Sequence, residues 1–179
     1  TIRHQQSRHQ WPFRGDFMIF IWAEDQHHAI GYKGQLPWHL PADMAFFKQH
    51  TMGNTLISGS RTFASYRKPL PHRKNIVLTT RTATDYPSDV EVLHSAAEVV
   101  AYEKAHPDET VIISGGARVF KSLLPDVDTL LRTRVLHTFK ADTYMPEIDY
   151  SQFQLVESIS HEPDEKNPYG LVFERWERQ

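Results

Sequence analysis

Apolar residues along this chain come in short blocks separated by helical spacings, and after residue 129 in strand-like blocks alone. Residues 18–23 form an unbroken apolar run of strand length. A polar stretch over 24–35 follows, with Gly31 and Gly34 as its expected turn points. Pro41 reads as a first helical position, and the spacing carries that helix to about His50. Next come a predicted strand over 55–58, a turn at Gly59 and a short helix over 61–66, which Lys68-Pro69-Leu70-Pro71 stops. Strands are predicted over 75–79 and 90–93. Ser95 fits an N-cap, with Glu98 completing a capping box for a helix to about Ala105. A strand over 111–114, a Gly115-Gly116 turn and a helix over 117–124 ended by Pro125 follow. The remaining strands lie over 129–135, 153–159 and 171–178, the last two as an antiparallel hairpin. This order predicts a single-domain α/β fold: a mostly parallel central sheet with an antiparallel C-terminal hairpin, flanked by about four helices.

Residues 1–17 stand apart, aperiodic and with three Arg against one Asp. They read as an appended extension, expression-derived or unstructured, ahead of a domain over 18–179. A short transit peptide is the second reading, since such segments are Arg-rich and acid-poor. The 179 residues suffice for one domain with a sizeable core. A net charge of −2 gives no ground for a nucleic-acid or membrane partner. The chain has no cysteine, which removes disulfides, thiolate nucleophiles and thiolate metal sites and is compatible with the cytoplasm. No apolar run approaches the ~20 residues of a membrane span.

The helix from Pro41 places Asp43 on a face with Leu40 and Phe47, flanked by Met44. A carboxylate among such neighbours loses hydration, which raises its pKa and suits it to a protonatable heterocycle. The same pattern also fits an Asp that only complements the helix dipole. Glycine at two strand–helix joints, Gly59 and Gly115-Gly116, permits close approach of a phosphate, though either alone is as well read as a turn. Arg61, Thr79, Thr80 and Arg81 could hold the 2′-phosphate of a dinucleotide at the carboxyl edge of the sheet. Arg73, in a rigid basic turn, suits a substrate carboxylate or a solvated surface position. No His-Glu-x-x-His or Gly-x-Ser-x-Gly spacing occurs, so a metal site and a serine nucleophile are dismissed.

Taken together these segments resemble dihydrofolate reductase of the bacterial chromosomal type, over essentially all of 18–179. The matching residues are Ile30-Gly31 before Leu36-Pro37-Trp38, then Leu40-Pro41-Ala42-Asp43, and Gly59 with Thr62-Phe63. Pro69-Leu70-Pro71 with Arg73-Lys74-Asn75, Gly115-Gly116 with Val119-Phe120, and Asp142-Thr143 complete the set. The resemblance implies NADPH-dependent reduction of dihydrofolate to tetrahydrofolate, by hydride transfer to C6 with protonation at N5. It makes Asp43 the active-site carboxylate, Thr133 its hydrogen-bond partner and Trp38 the residue that places a nearby water.

For the substrate, the resemblance implies that Ile21, Trp22, Ala23, Met44, Phe47 and Lys48 line one side of the pocket. Tyr66, Leu70 and Ser114 would line the other, and Arg73 would hold the glutamate carboxylate. For the cofactor, Ala23, Ile30, Gly31, Gln35 and Leu36 would border the nicotinamide, with Ser114 and Thr143 beside them. Gly115, Gly116, Ala117, Arg118, Val119 and Phe120 would take the pyrophosphate side, with Gly59 and Thr62. Ser60, Arg61, Leu78, Thr79, Thr80, Arg81 and His94 would surround the adenosine phosphate. The loop from Gly31 to Leu36 would close over the cofactor. Three positions depart from the family pattern: Ser60 replaces an Arg that many relatives carry, Ser114 a larger apolar residue, and Tyr66 an aliphatic one. Methotrexate or trimethoprim would be inhibitors, and a monomer is expected. The alternatives are the related reductase of riboflavin synthesis and a non-catalytic pterin- or nucleotide-binding protein.

Overall fold

The computed structural model describes residues 18–179, so the extension expected at 1–17 lies outside them. The apolar run at the start forms β1 (Met18–Glu24), every residue of which is buried. A strand buried on both faces belongs in the middle of a covered sheet. β1 lies there, parallel to β6 (Val111–Ile113) on one side and to β7 (Thr129–Val135) on the other. Beyond β6 come β3 (Thr55–Gly59), β4 (Lys74–Leu78) and β5 (Glu91–Leu93), all parallel. Beyond β7, β10 (Leu171–Arg178) and then β9 (Phe153–His161) pair antiparallel, as the hairpin pattern predicts. The eight-stranded sheet therefore reads β5-β4-β3-β6-β1-β7-β10-β9.

Alternation along β1 divides the core. Met18, Phe20 and Trp22 pack with residues of α3 (Ala96–Ala105) and α4 (Ala117–Leu123). Ile19, Ile21 and Ala23 face the other way, toward Phe46 of α1 (Pro41–Thr51) and Trp38 and Leu40 just ahead of it. Phe63 of α2 (Ser60–Ser65) closes a smaller cluster over Val77 and Val90.

Three sequence expectations change in detail. Gly31 is not a turn residue: it ends the strand β2 (Ala29–Gly31), which pairs with β8 (Thr143–Tyr144) in a second sheet. Both strands are too short to show alternation. The Ser95 hydroxyl accepts from the Glu98 N–H as expected. The Glu98 carboxylate, however, accepts from the N–H of His94 at 2.5 Å rather than from that of Ser95. Ser114 falls just beyond β6, where the chain turns into the glycine pair.

Candidate active site

The first turn of α1 positions the central carboxylate. Pro41 contributes no N–H, and the N–H groups of Asp43 and Met44 donate to the Leu40 carbonyl at 3.0 and 3.1 Å. Asp43 turns inward to the sheet, only 9% exposed, and its carboxylate accepts a hydrogen bond from the Thr133 hydroxyl of β7. Burial raises its pKa from 3.8 to about 6, with the Thr133 bond pulling the other way. Leu40 is buried beside it and Phe47 half-buried, in agreement with the helical spacing. Met44 is 53% exposed, since one residue on turns it about 100° round the helix, and Lys48 is exposed too.

Register explains how Thr133 arrives there: it pairs with Ala23 of β1 and Phe173 of β10. Trp38 is buried against Phe139, ring centroids 5.2 Å apart, and its indole N–H has no partner among the described residues. Trp22 is different. Its ring lies on the far side of the sheet, 5.9 Å from Phe120, and its N–H donates to Glu24 at 2.8 Å. The strict alternation of β1 prevents it from sharing a wall with Ile21 and Ala23.

The opposite wall carries hydroxyls. Tyr66 faces Phe47 across the cleft with ring centroids 6.4 Å apart, its phenol 3.1 Å from the Ser114 hydroxyl. Ser114 in turn lies 2.7 Å from Ser58, so Tyr66, Ser114 and Ser58 form one chain of hydroxyls. Burial raises the Tyr66 pKa. The turn bearing Leu70 is pinned by Asn75, whose amide bonds both backbone groups of Leu70. Arg73 donates to the Thr51 hydroxyl at 3.1 Å and to the Pro71 carbonyl at 3.0 Å, at the end of α1 remote from Asp43.

Next to Ser114 lies the glycine pair, whose peptide is cis. Gly115 has φ +118, and a Cβ there would meet Phe120 at 3.2 Å. A Cβ on Gly59 would meet Val119 at 3.0 Å. The Gly59 N–H donates to the Gly115 carbonyl at 2.7 Å, so the two joints read separately in the sequence form one bare-backbone cradle. Thr62 borders it, its hydroxyl 3.5 Å from where a Gly116 Cβ would stand. Farther out, the Thr79 hydroxyl accepts from the Arg81 N–H and the His94 ring bonds the Thr79 carbonyl. Arg61 lies near Asp142, whose pKa is lowered first by the Lys33 N–H and then by the Thr143 hydroxyl, with Arg61 adding to it. Tyr32 and Gln35 bridge the loop beyond β2, and Leu36 is 52% exposed at its end. The buried carboxylate of α1 and the bare-backbone cradle thus lie at the two ends of one wall, joined through Phe47, Tyr66 and Ser114.

Comparison with known proteins decides what such a pairing belongs to. The family model described as dihydrofolate reductase matches residues 17–178. The chain belongs to the dihydrofolate reductase family. Similar curated members are the dihydrofolate reductase of Enterococcus faecium, 40% identical over 161 residues (89% of this chain and 96% of that one), and that of Bacillus subtilis strain 168, 40% identical over 160 residues (89% and 94%). Among solved structures, dihydrofolate reductase from Enterococcus faecalis complexed with NADP(H) and RAB-propyl superposes with a TM-score of 0.86. It is 43% identical and covers 93% of this chain and 98% of that one.

Some residues around Asp43 and the glycine cradle left no sequence signal. Ser58 reads as one more strand residue until the sheet sets it beside Ser114. Asp25 reads as part of a polar turn, yet its buried carboxylate accepts from the N–H groups of His27, Ala29 and Phe139 and so fixes the ring that supports Trp38.

Proposed function

We infer that this chain reduces 7,8-dihydrofolate to 5,6,7,8-tetrahydrofolate with NADPH, with Asp43 as the carboxylate that binds the pterin. The observation that carries this assignment is a buried carboxylate, held by Thr133, on a helix whose Phe47 faces Tyr66, the end of a hydroxyl chain that reaches Ser114 next to the Gly115-Gly116 cradle. In this site Asp43 pairs with the amidine-like edge of the pterin, and its pKa of about 6 leaves it largely ionised at neutral pH. The Thr133 hydroxyl keeps one carboxylate oxygen aimed into the cleft. Trp38 offers its free indole N–H to a water, which carries the proton toward N5. Ile21, Ala23 and Phe47 exclude bulk solvent around the ring, and Arg73 takes the glutamate carboxylate.

The cofactor fits the cradle because the backbone there has no Cβ to obstruct it. Gly115, Gly116 and Thr62 are the residues that would hold the pyrophosphate, with Arg61, Thr79 and Arg81 toward the adenosine phosphate. NADPH supplies the hydride delivered to C6. Ser60 leaves Arg61 to provide the charge that favours NADPH over NADH. Diamino inhibitors such as methotrexate or trimethoprim would meet Asp43, with Tyr66 and Ser114 changing the wall they touch. The domain spans 18–179 and acts as a monomer in the cytoplasm. No helix among the described residues is long and apolar enough to cross a membrane.

The deciding assay follows loss of reduced nicotinamide absorbance with dihydrofolate, run with NADPH and NADH in parallel. Turnover that favours NADPH is the expected result. Equal rates would overturn the phosphate assignment, and no turnover with either would overturn the catalytic one.

A further inference from the structure

We propose that Asn167, on the connection between β9 and β10, is a positioning residue for the active-site carboxylate, and that this connection is the external brace of the proton-handling end of the cleft. The proposal rests on the assignment of Asp43 given above. Donor accounting at the start of α1 identifies the need. Leu40, the N-cap residue, has no side chain able to cap, and Pro41 has no N–H. The N–H groups of Asp43 and Met44 are taken by the Leu40 carbonyl. That leaves the Ala42 N–H, and it donates to Oδ1 of Asn167 at 2.9 Å, across 125 positions of sequence. A distant loop thus supplies the cap that the local sequence lacks.

Asn167 is built for this task. It is 5% exposed, in a connection whose neighbours are mostly exposed. Oδ1 of Asp164 accepts from both its backbone N–H, at 2.7 Å, and its side-chain amide, at 3.0 Å, and also from the Lys166 N–H. That grip fixes the amide so that its oxygen faces Ala42. The same connection reaches Trp38 by a second route. Tyr169 stacks on His137 with centroids 4.2 Å apart and meets Phe139 edge-on at 5.1 Å, and Phe139 packs on Trp38. One loop therefore braces both the helix turn that carries Asp43 and the ring beside it.

The test replaces Asn167 with Ala in the full chain and compares three readouts at a temperature where thermal melts show the fold intact. Expected are binding of a 2,4-diaminopyrimidine about fivefold weaker, a kcat that falls with it, and a Kd for NADPH that stays put. In an Asp43→Asn background the Asn167→Ala change should add almost nothing, because its effect runs through that carboxylate. Asp164→Ala, which releases the amide but keeps it, should give the same selective pattern at smaller size and serves if Asn167→Ala does not fold. Equal losses for NADPH and the diaminopyrimidine, or full additivity with Asp43→Asn, would overturn the proposal. If Asp43→Asn alone changes neither binding nor rate, the catalytic assignment fails instead, independently of Asn167.

Discussion

At the scale of single residues, Asp43 carries an energetic cost that its proposed pterin-binding role explains. Its pKa rises from 3.8 to about 6 on folding because burial strips the charged form of water. Between those two values the folded protein holds a proton that the unfolded chain has released, so stability falls as pH rises through that window. Above pH 6 the penalty amounts to about 3 kcal/mol. Asp43→Asn should therefore be more stable than the native protein at pH 7 by that order, with the gap closing near pH 3.5, as urea denaturation at the two pH values would show. An equal gap at both would point to packing rather than charge. The same substitution should slow turnover sharply at pH 7 and much less in acid, where the substrate is already protonated. The sequence made Asp43 legible through its spacing from Leu40 and Phe47. It could not show whether the charge was buried or merely near a helix end, because that depends on Thr133, ninety positions away.

At the scale of elements, the strand–helix joints do what their glycines permit. Gly53 and Gly115 both have positive φ, +76 and +118, but only Gly115 has a neighbour in the path of a Cβ. Gly53→Ala should cost about 1 kcal/mol of stability and leave NADPH affinity alone. Gly115→Ala should cost about 1–3 kcal/mol and weaken NADPH well beyond dihydrofolate, as titration of each ligand would measure. Equal effects of the two substitutions on NADPH would remove the cradle from the cofactor site. Each glycine joint was visible in the sequence as a turn. That Gly59 and Gly115 touch was not, since the contact exists only because β3 and β6 are neighbours in the sheet.

Across the whole molecule, a buried cluster of charge joins β1, β7 and β10 on the face away from Asp43. Arg132 donates to Glu174 at 2.7 Å and lies 3.9 Å from Glu24, with the Tyr150 ring 4.4 Å from its guanidinium. The side chains of Glu24 and Glu174 are only 3% and 5% exposed. Removing the cation leaves Glu24 with the Trp22 and His28 rings and Glu174 with Arg134 and the Trp176 indole, so Arg132→Met should cost about 1–3 kcal/mol and lower Tm by several degrees. A melt unchanged by that substitution would overturn the cluster's part in stability. None of this cluster was read from the sequence, where Glu24, Arg132 and Glu174 look like ordinary polar positions. What the chain determined by itself was local. Residues 18–23, Pro41, the Gly115-Gly116 turn and the apolar blocks set which segments are strands and helices, because periodicity and backbone restriction act over a few residues. Tertiary structure alone decided that Thr133 meets Asp43, that Ser58, Ser114 and Tyr66 form one chain of hydroxyls, and that Asn167 caps α1. Those are encounters between surfaces far apart in sequence, and only the packing of the sheet and its loops brings such donors and acceptors within bonding distance.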